Sequence, residues 1–576
     1  MYERSAVLLR KKFKSYLMPT ILMTMALSLG SIVDSLIVAN LLPTEAFSAV
    51  GLCQPVSLCF NTVFNFFGVG GATLAAIHKG RKEDDRADTV FSSVIVILLF
   101  FSAVFMIAGT VFRTPIANLL CRGNSSVAQY IRDYSFWLFL GCPFIIMVSG
   151  MIPFLRTDGS PKLASRIIIV SNVVNLVCDY LIVKFTGNIG GAAVSTVIGY
   201  AAGGLLFIPY MRSKTRGLHL TKPEQRIFLY GAKIAASGVS SGLNTGLMFL
   251  KNLCINLIVL DVLGALGVAA FNVCNQTLTL AALFVGGTVQ TILPIIGVLY
   301  GEEDKTGIRM TIKTAFTFAF SAAIILCIVL EAGAGLIVGL FNLEGEAASI
   351  GTNAIRLYSL MLPFYAFNFI MINFYQTTQK KMLAAFFSIM QGLAIIVPAV
   401  FILSKIGDGS KLWLGFLISE ALTFGLIWLV SRIYGRKHEL KGLLLEKNCD
   451  CSRSIEMTLK NDLNDAEQVS EKISQFCKDN GITGDRALRL AIAAEELTTN
   501  IIKYGYNKDK LSYIDVNARI VGDEVVLGVR DDGVFFNPME YHTEEMSFSG
   551  IDTVKKIAKD VRYSRVLGFN TVTVKV

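Results

Sequence analysis

Apolar residues along most of this chain come in long runs, without alternation. From about Ser15 to Tyr434 they form twelve stretches, near 15–42, 46–79, 88–112, 130–155, 162–184 and 190–212, then near 236–260, 265–300, 311–341, 353–376, 382–405 and 411–434. An α-helix needs about 20 such residues to cross a bilayer, so the pattern predicts twelve spanning helices. Glu224 to Lys233 reads as an amphipathic lead-in to the seventh. Past Arg453 the pattern changes. "SIEMTLK" alternates as a strand, "DAEQVSEKISQFCKDNG" is a helix closed by Gly481, and "DRALRLAIAAEELTTNIIKYGY" is a second helix. "YIDVNARIVGDEVVLGVRDD" predicts a hairpin turning at Gly522-Asp523, "GIDTVKKIAKDV" a third helix, and "NTVTVKV" a closing strand. The fold class expected is an all-α polytopic membrane protein followed by a C-terminal α/β sandwich.

Two halves are visible within the apolar part. "GGATLAAIHKGRKEDD" from Gly70 is echoed by "ILPIIGVLYGEEDKTG" from Ile292, "IRDYS" at Ile131 by "IRLYS" at Ile355, and "RTDGSPKLASR" from Arg156 by "QTTQKKMLAAF" from Gln376. With six spans each, the repeats are parallel and predict two six-helix bundles that rock about a cavity. The expected divisions are 1–214 and 215–434 for the lobes, 435–452 for a linker, and 453–576 for the terminal domain.

Charge changes this picture in one respect. Only 17% of the 576 residues are charged, yet the net charge is +10. Residues 1–447 carry +14 and residues 448–576 carry −4. The positive charge sits in short loops, which argues for membrane orientation and against a nucleic-acid groove. With an internal N-terminus, the inner segments hold 27 Lys+Arg and the outer loops 7. Both termini are therefore expected in the cytoplasm of a cell-membrane protein. Eleven scattered cysteines, with no CxxC, give no sign of a disulfide framework or zinc site; the CxC at Cys449 and Cys451 is read as incidental.

Ionisable groups inside spans are costly and tend to be functional. Asp34 lies in the outer half of the first span, and Asp179 in the fifth, with Asn175 one turn before it. Two carboxylates in a low dielectric cannot both stay charged cheaply, which suits proton or sodium coupling. The stretches "IVDSLIVANLLPTEAFSAVGLCQPV", "GVGGATLAAIHKGRKEDD", "LRTDGSPK" and "GNIGGAAVSTVIG" resemble, in order, the multidrug and toxic compound extrusion (MATE) family. That resemblance covers about residues 10–440 and implies antiport of small organic, often cationic, substrates. It also implies a cation cluster at Asp34, Asn175, Asp179 and Thr196. Some members carry a glutamate in span 7 where this chain has Lys251, for which Glu420 and Glu331 are candidate partners.

In the tail, Glu496 and Asn500 share one helix face at i and i+4. "EELTTNIIKYGY" (Glu495 to Tyr506), "DDGVFFNP" (Asp531 to Pro538), "SGIDTVKKIAKDVRY" and "GFNTVTVKV" resemble the histidine-kinase-type ATPase fold, closest to anti-sigma-factor serine kinases. The resemblance implies ATP and Mg2+ as ligands. Glu496 would be the catalytic carboxylate, Asn500 the magnesium ligand, and Asp531 the adenine acceptor at a turn opened by Gly533. Gly550 would meet phosphate at a helix start, and Thr571 would lie beside adenine. The glycine-rich lid is reduced to Ser547-Phe548-Ser549-Gly550, and no GxxxxGK[ST] motif occurs anywhere, which excludes a P-loop pump. The expected function is a cation-coupled efflux antiporter with a fused ATP-binding regulatory domain. Two rival expectations are a membrane-anchored signalling protein, whose tail is a serine/threonine kinase acting on a cytosolic protein partner, and a lipid-precursor flippase.

Overall fold

In the computed structural model of the chain, residues 4–121, 125–213, 216–340, 345–406, 410–447, 453–482, 484–506, 511–535, 537 and 549–576 are described. Cys449, Cys451, Ser547 and Phe548 lie outside them. Helix α1 (Val7–Leu41) has 35 residues, about 52 Å of helix at 1.5 Å per residue. It is followed by α2 (Ala49–Gly80), α3 (Asp84–Val111), α4 (Val127–Thr157), α5 (Pro161–Thr186) and α6 (Gly190–Arg212). The second half contains α7 (Val239–Gly264), α8 (Leu283–Gly301), α9 (Lys305–Gly339), the bent pair α10 (Gly345–Ser359 with Leu362–Thr377), α11 (Lys381–Ser404) and α12 (Ser410–Lys437). Ten described helices are long and apolar enough to cross a membrane, eleven if the bent pair is one span; α1 completes the first bundle by packing on α5. The amphipathic lead-in is a short helix, Ile227–Ser237.

The repeat seen in sequence is also a repeat of backbone conformation. After Gly80 and Gly301 come Lys82 and Glu303 with φ of 61° and 59°, and after α4 and α10 come Gly159 and Gln379 with φ of 85° and 60°. The turn bonds match as well: Gly159 N to Arg156 O and Ser160 N to Leu155 O, then Gln379 N to Gln376 O and Lys380 N to Tyr375 O. A non-glycine residue in this region is uncommon; here it supplies the sharp reversal between packed helices.

The terminal domain is a five-stranded antiparallel sheet backed by helices. Its elements are β1 (Ser454–Lys460), α13 (Leu463–Asp479), α14 (Asp485–Tyr504), β2 (Tyr513–Val521), β3 (Glu524–Asp531), α15 (Ser549–Ile557), β4 (Asp560–Val566) and β5 (Phe569–Lys575). Strand order is β1-β2-β3-β5-β4. Asp462 caps α13 by accepting from Asn464 N at 3.0 Å, and Val469, Ile473, Leu490, Ala494 and Leu497 bury against Val516, Leu527, Val529 and Val572. Val521 pairs Glu524, so the hairpin turns at Gly522-Asp523 as expected. The helical pattern of "GIDTVKKIAKDV" runs to Val561, but the helix ends at Ile557 and 560–566 is a strand. A two-residue turn at Leu567-Gly568, with φ of 58° and 73°, allows that strand to pair with β5.

The opposite sheet face lies on the transporter. Arg4 Nη1 donates to both Asp304 oxygens at 2.8 Å and Nε to Asp515 Oδ2 at 3.0 Å. Arg530 bonds Glu302 and Asp304. Burial alone would raise the Asp304 pKa, but Arg4 and Arg530 outweigh it and hold the carboxyl at about 2.

Candidate functional site

The first cluster lies between α1, α5 and α6. Asp179 is fully buried, and neither of its oxygens has a hydrogen-bond donor among the described residues. The charged group that faces it is the Asp34 carboxylate, one oxygen of which is also buried without a partner. Asn175 Nδ2 donates to Thr196 Oγ1 at 3.3 Å, which leaves Asn175 Oδ1 as the acceptor end of that amide. Close helix approach creates the cluster: a Cβ on Gly199 would stand 2.8 Å from Asn175 Cβ and 2.4 Å from Ser171 O. All four residues named from the sequence are thus brought together. Adjacent carboxylates without donors repel unless a proton or metal cation lies between them, and the available groups are oxygen ligands of the type that hard cations take.

Between the bundles lies a cavity of about 500 Å³. Asn61, Asn65, Asn244, Gln290, Asn373 and Gln391 give it an amide-rich wall, and Arg156 is the charged side chain lining it. Arg156 is buried; Nη2 donates to Met23 Sδ at 3.1 Å, and no carboxylate among the described residues pairs with it. Arg156 stands in the "LRTDGSPK" stretch, where a charge at a predicted loop carries no signal of a cavity. Lys251 is within the electrostatic reach of Glu420, whose Oε2 accepts from Asn368 at 2.7 Å and Gln391 at 2.9 Å. Glu331 instead faces Arg356 and Ser359.

The second cluster is in the terminal domain. Glu496 and Asn500 project from one face of α14, and Gly550 at the start of α15 packs on both. A Cβ there would stand 1.9 Å from Glu496 Oε2 and 3.5 Å from Asn500 Nδ2. Only glycine fits. Asn500 Nδ2 is buried without an acceptor among the described residues. Asp531 ends β3; its Oδ1 accepts from Gly533 N at 2.7 Å and Asn570 Nδ2 at 2.9 Å. Burial pushes its carboxyl up to about 6, although those bonds work the other way. Val534 N bonds Gly505 O at 3.0 Å and so ties the Asp531 turn to the end of α14. The residues present therefore suit a phosphate-bearing nucleotide.

Thr571 is the exception. The register pairs Asp531 with Asn570 and Arg530 with Thr571, and side chains opposite one another share a face. Thr571 thus lies on the transporter-facing side with Arg530, and Asn570 takes the place beside Asp531. A shift of one residue along a strand changes its face, which no motif match resolves by itself.

A family model described as MatE matches residues 19–181 and 241–401, and one described as a histidine kinase-like ATPase domain matches residues 459–576. The chain is similar to the multidrug export protein MepA of Staphylococcus haemolyticus, 26% identical over 410 residues, 70% of this chain and 89% of that protein. MepA of Staphylococcus saprophyticus is 25% identical over 429 residues, 73% and 92% of the two chains. Among solved structures, a MOP superfamily transporter from Pyrococcus furiosus superposes with a TM-score of 0.68 at 19% identity, covering 74% of this chain and 95% of that one. A Vibrio cholerae MATE transporter in its bent form gives 0.69 at 19%, covering 75% and 98%.

Proposed function

This chain belongs to the MatE family, with a histidine kinase-like ATPase domain at its C-terminal end, and from that premise we propose that it is a proton- or sodium-coupled exporter of small organic compounds regulated by ATP. The observation that carries the coupling is the buried Asp34–Asp179 pair, in which Asp179 has no donor among the described residues. A cation shared between the carboxylates neutralises them, and release restores their repulsion. The two occupancies favour different arrangements of α1 against α5, which is what an antiport cycle requires. The relatives' names, both multidrug export proteins, support the substrate class. The loop charges support an inner-facing terminal domain.

In that domain Asp531 would accept from the adenine amino group, Asn500 would hold Mg2+, and Glu496 and Gly550 would border the phosphates. When bound, ATP supplies negative charge and, if cleaved, a transferable phosphoryl group. Regulation is favoured over power because the cation cluster lies in a separate part of the chain from the nucleotide residues. The test is Asp34→Asn in proteoliposomes. Proton- or sodium-driven dye efflux should fall at least tenfold while insertion and ATP binding persist; undiminished efflux would remove the carboxylate from the mechanism. A second reading, export of an acidic compound such as a lipid precursor, draws on Arg156 in the cavity wall, which has no carboxylate partner among the described residues. Competition between anionic and cationic dyes of similar size separates it from the first.

A further inference from the structure

The tip of the β4–β5 hairpin points into the seam between the two halves of the transporter. Val566, Leu567 and Phe569 are buried in one apolar cluster with Leu9 of α1 and Val298 and Leu299 of α8. On the first-half side, Gly159 lies against the hairpin backbone, where a Cβ would stand 2.8 Å from Gly568 N, and the Lys12 ammonium caps the Phe569 ring at 4.5 Å. On the second-half side, Glu302 and Asp304 hold Arg530. Beside this tip the halves touch backbone to backbone. A Cβ on Gly80 would be 2.1 Å from Val298 O, and one on Gly301 would be 2.1 Å from Ile77 O. The repeat-related glycines therefore cross each other where the bundle closes toward its terminal domain.

We propose that the hairpin tip is a bolt across this gate: α2 and α8 cannot part on the domain side while Leu567 is seated between the halves. Two connections join the bolt to the nucleotide residues. Asn570, next to Phe569, donates to Asp531 at 2.9 Å, and Lys11 of α1 bonds Asp532 at 2.5 Å. A group that engages Asp531 therefore acts on residues attached both to the tip and to the helix that carries Asp34. By linkage, seating and nucleotide binding alter each other's equilibrium by the same factor. This arm rests on the regulatory reading given above; the bolt itself does not.

The experiment uses the full chain with its native cysteines replaced and a reporter, Thr73→Cys, in the cavity wall. An impermeant maleimide is applied from the domain side. Without nucleotide, Leu567→Asp should raise the labelling rate at least tenfold and Leu567→Met should leave it unchanged. Should Leu567→Asp fail to fold, Arg530→Ala, which loosens the docked sheet, should raise labelling in the same direction. Unchanged labelling in every folded loosening variant overturns the bolt. With the tip intact, ATP should change the rate severalfold, and Asp531→Ala should abolish that change. Labelling that rises with Leu567→Asp but ignores ATP keeps the bolt and overturns the nucleotide regulation.

Discussion

At Asp531 burial and hydrogen bonding oppose each other. Burial dominates and raises its carboxyl from 3.8 to about 6. A carboxyl raised in the folded state contributes stability that is present below about pH 4 and is lost as pH rises through about 6, roughly 3 kcal/mol in all. A base amino group needs the ionised form as acceptor. ATP affinity of the full chain should therefore fall about tenfold for each pH unit below about 6 and level off above about 7. Calorimetric titrations across that range check this, and a flat profile would mean that Asp531 does not meet the base. The residue types at both sites were legible in the sequence, because intramembrane carboxylates and an i, i+4 Glu–Asn pair carry their own chemical signal. Asn570 was not legible: its role comes from a cross-strand register.

At the scale of elements, glycine marks two different requirements. Gly80 and Gly301 sit where another backbone occupies the space of a side chain, whereas Gly264 has φ of 65° and nothing within 4 Å of its Cβ position. Gly80→Val should therefore hold α2 away from α8 and lower vesicle efflux at least tenfold, with Gly301→Val giving the same loss by symmetry. Gly264→Val should cost about 1–3 kcal/mol of backbone strain and lower the melting temperature while efflux persists. Equal flux losses at all three positions would refute this distinction. Helix existence was readable from hydropathy alone. The strand at 560–566 was missed because "GIDTVKKIAKDV" continues a helical spacing past Ile557, and pairing with β5 overrides that local preference.

At the scale of the whole molecule, the terminal domain is fixed by a buried ionic cluster. Asp304 is depressed to about 2, so its contribution is present above about pH 4 and lost only as pH falls through about 2. The contribution of Asp304 itself should thus be insensitive to pH in the physiological range. The loop asymmetry of 27 against 7 basic residues is the ground for the proposal that the domain side faces inward. A cysteine introduced at Lys447 should react with an impermeant reagent only after the cells are permeabilised. Labelling of intact cells would reverse the orientation and with it the regulatory reading.

The sequence by itself determined the spans, the two-fold repeat, the change to an α/β tail and the two sets of candidate residues. Each of these depends on local composition or on periodicity within one element. Tertiary structure decided which face Thr571 occupies, that Arg156 lines the cavity without a carboxylate partner among the described residues, and that Gly80 meets Gly301. It also decided that Leu567 enters the seam between the halves. These facts depend on which distant segments meet, as with Arg4 and Asp515, and no single stretch of chain encodes such a meeting.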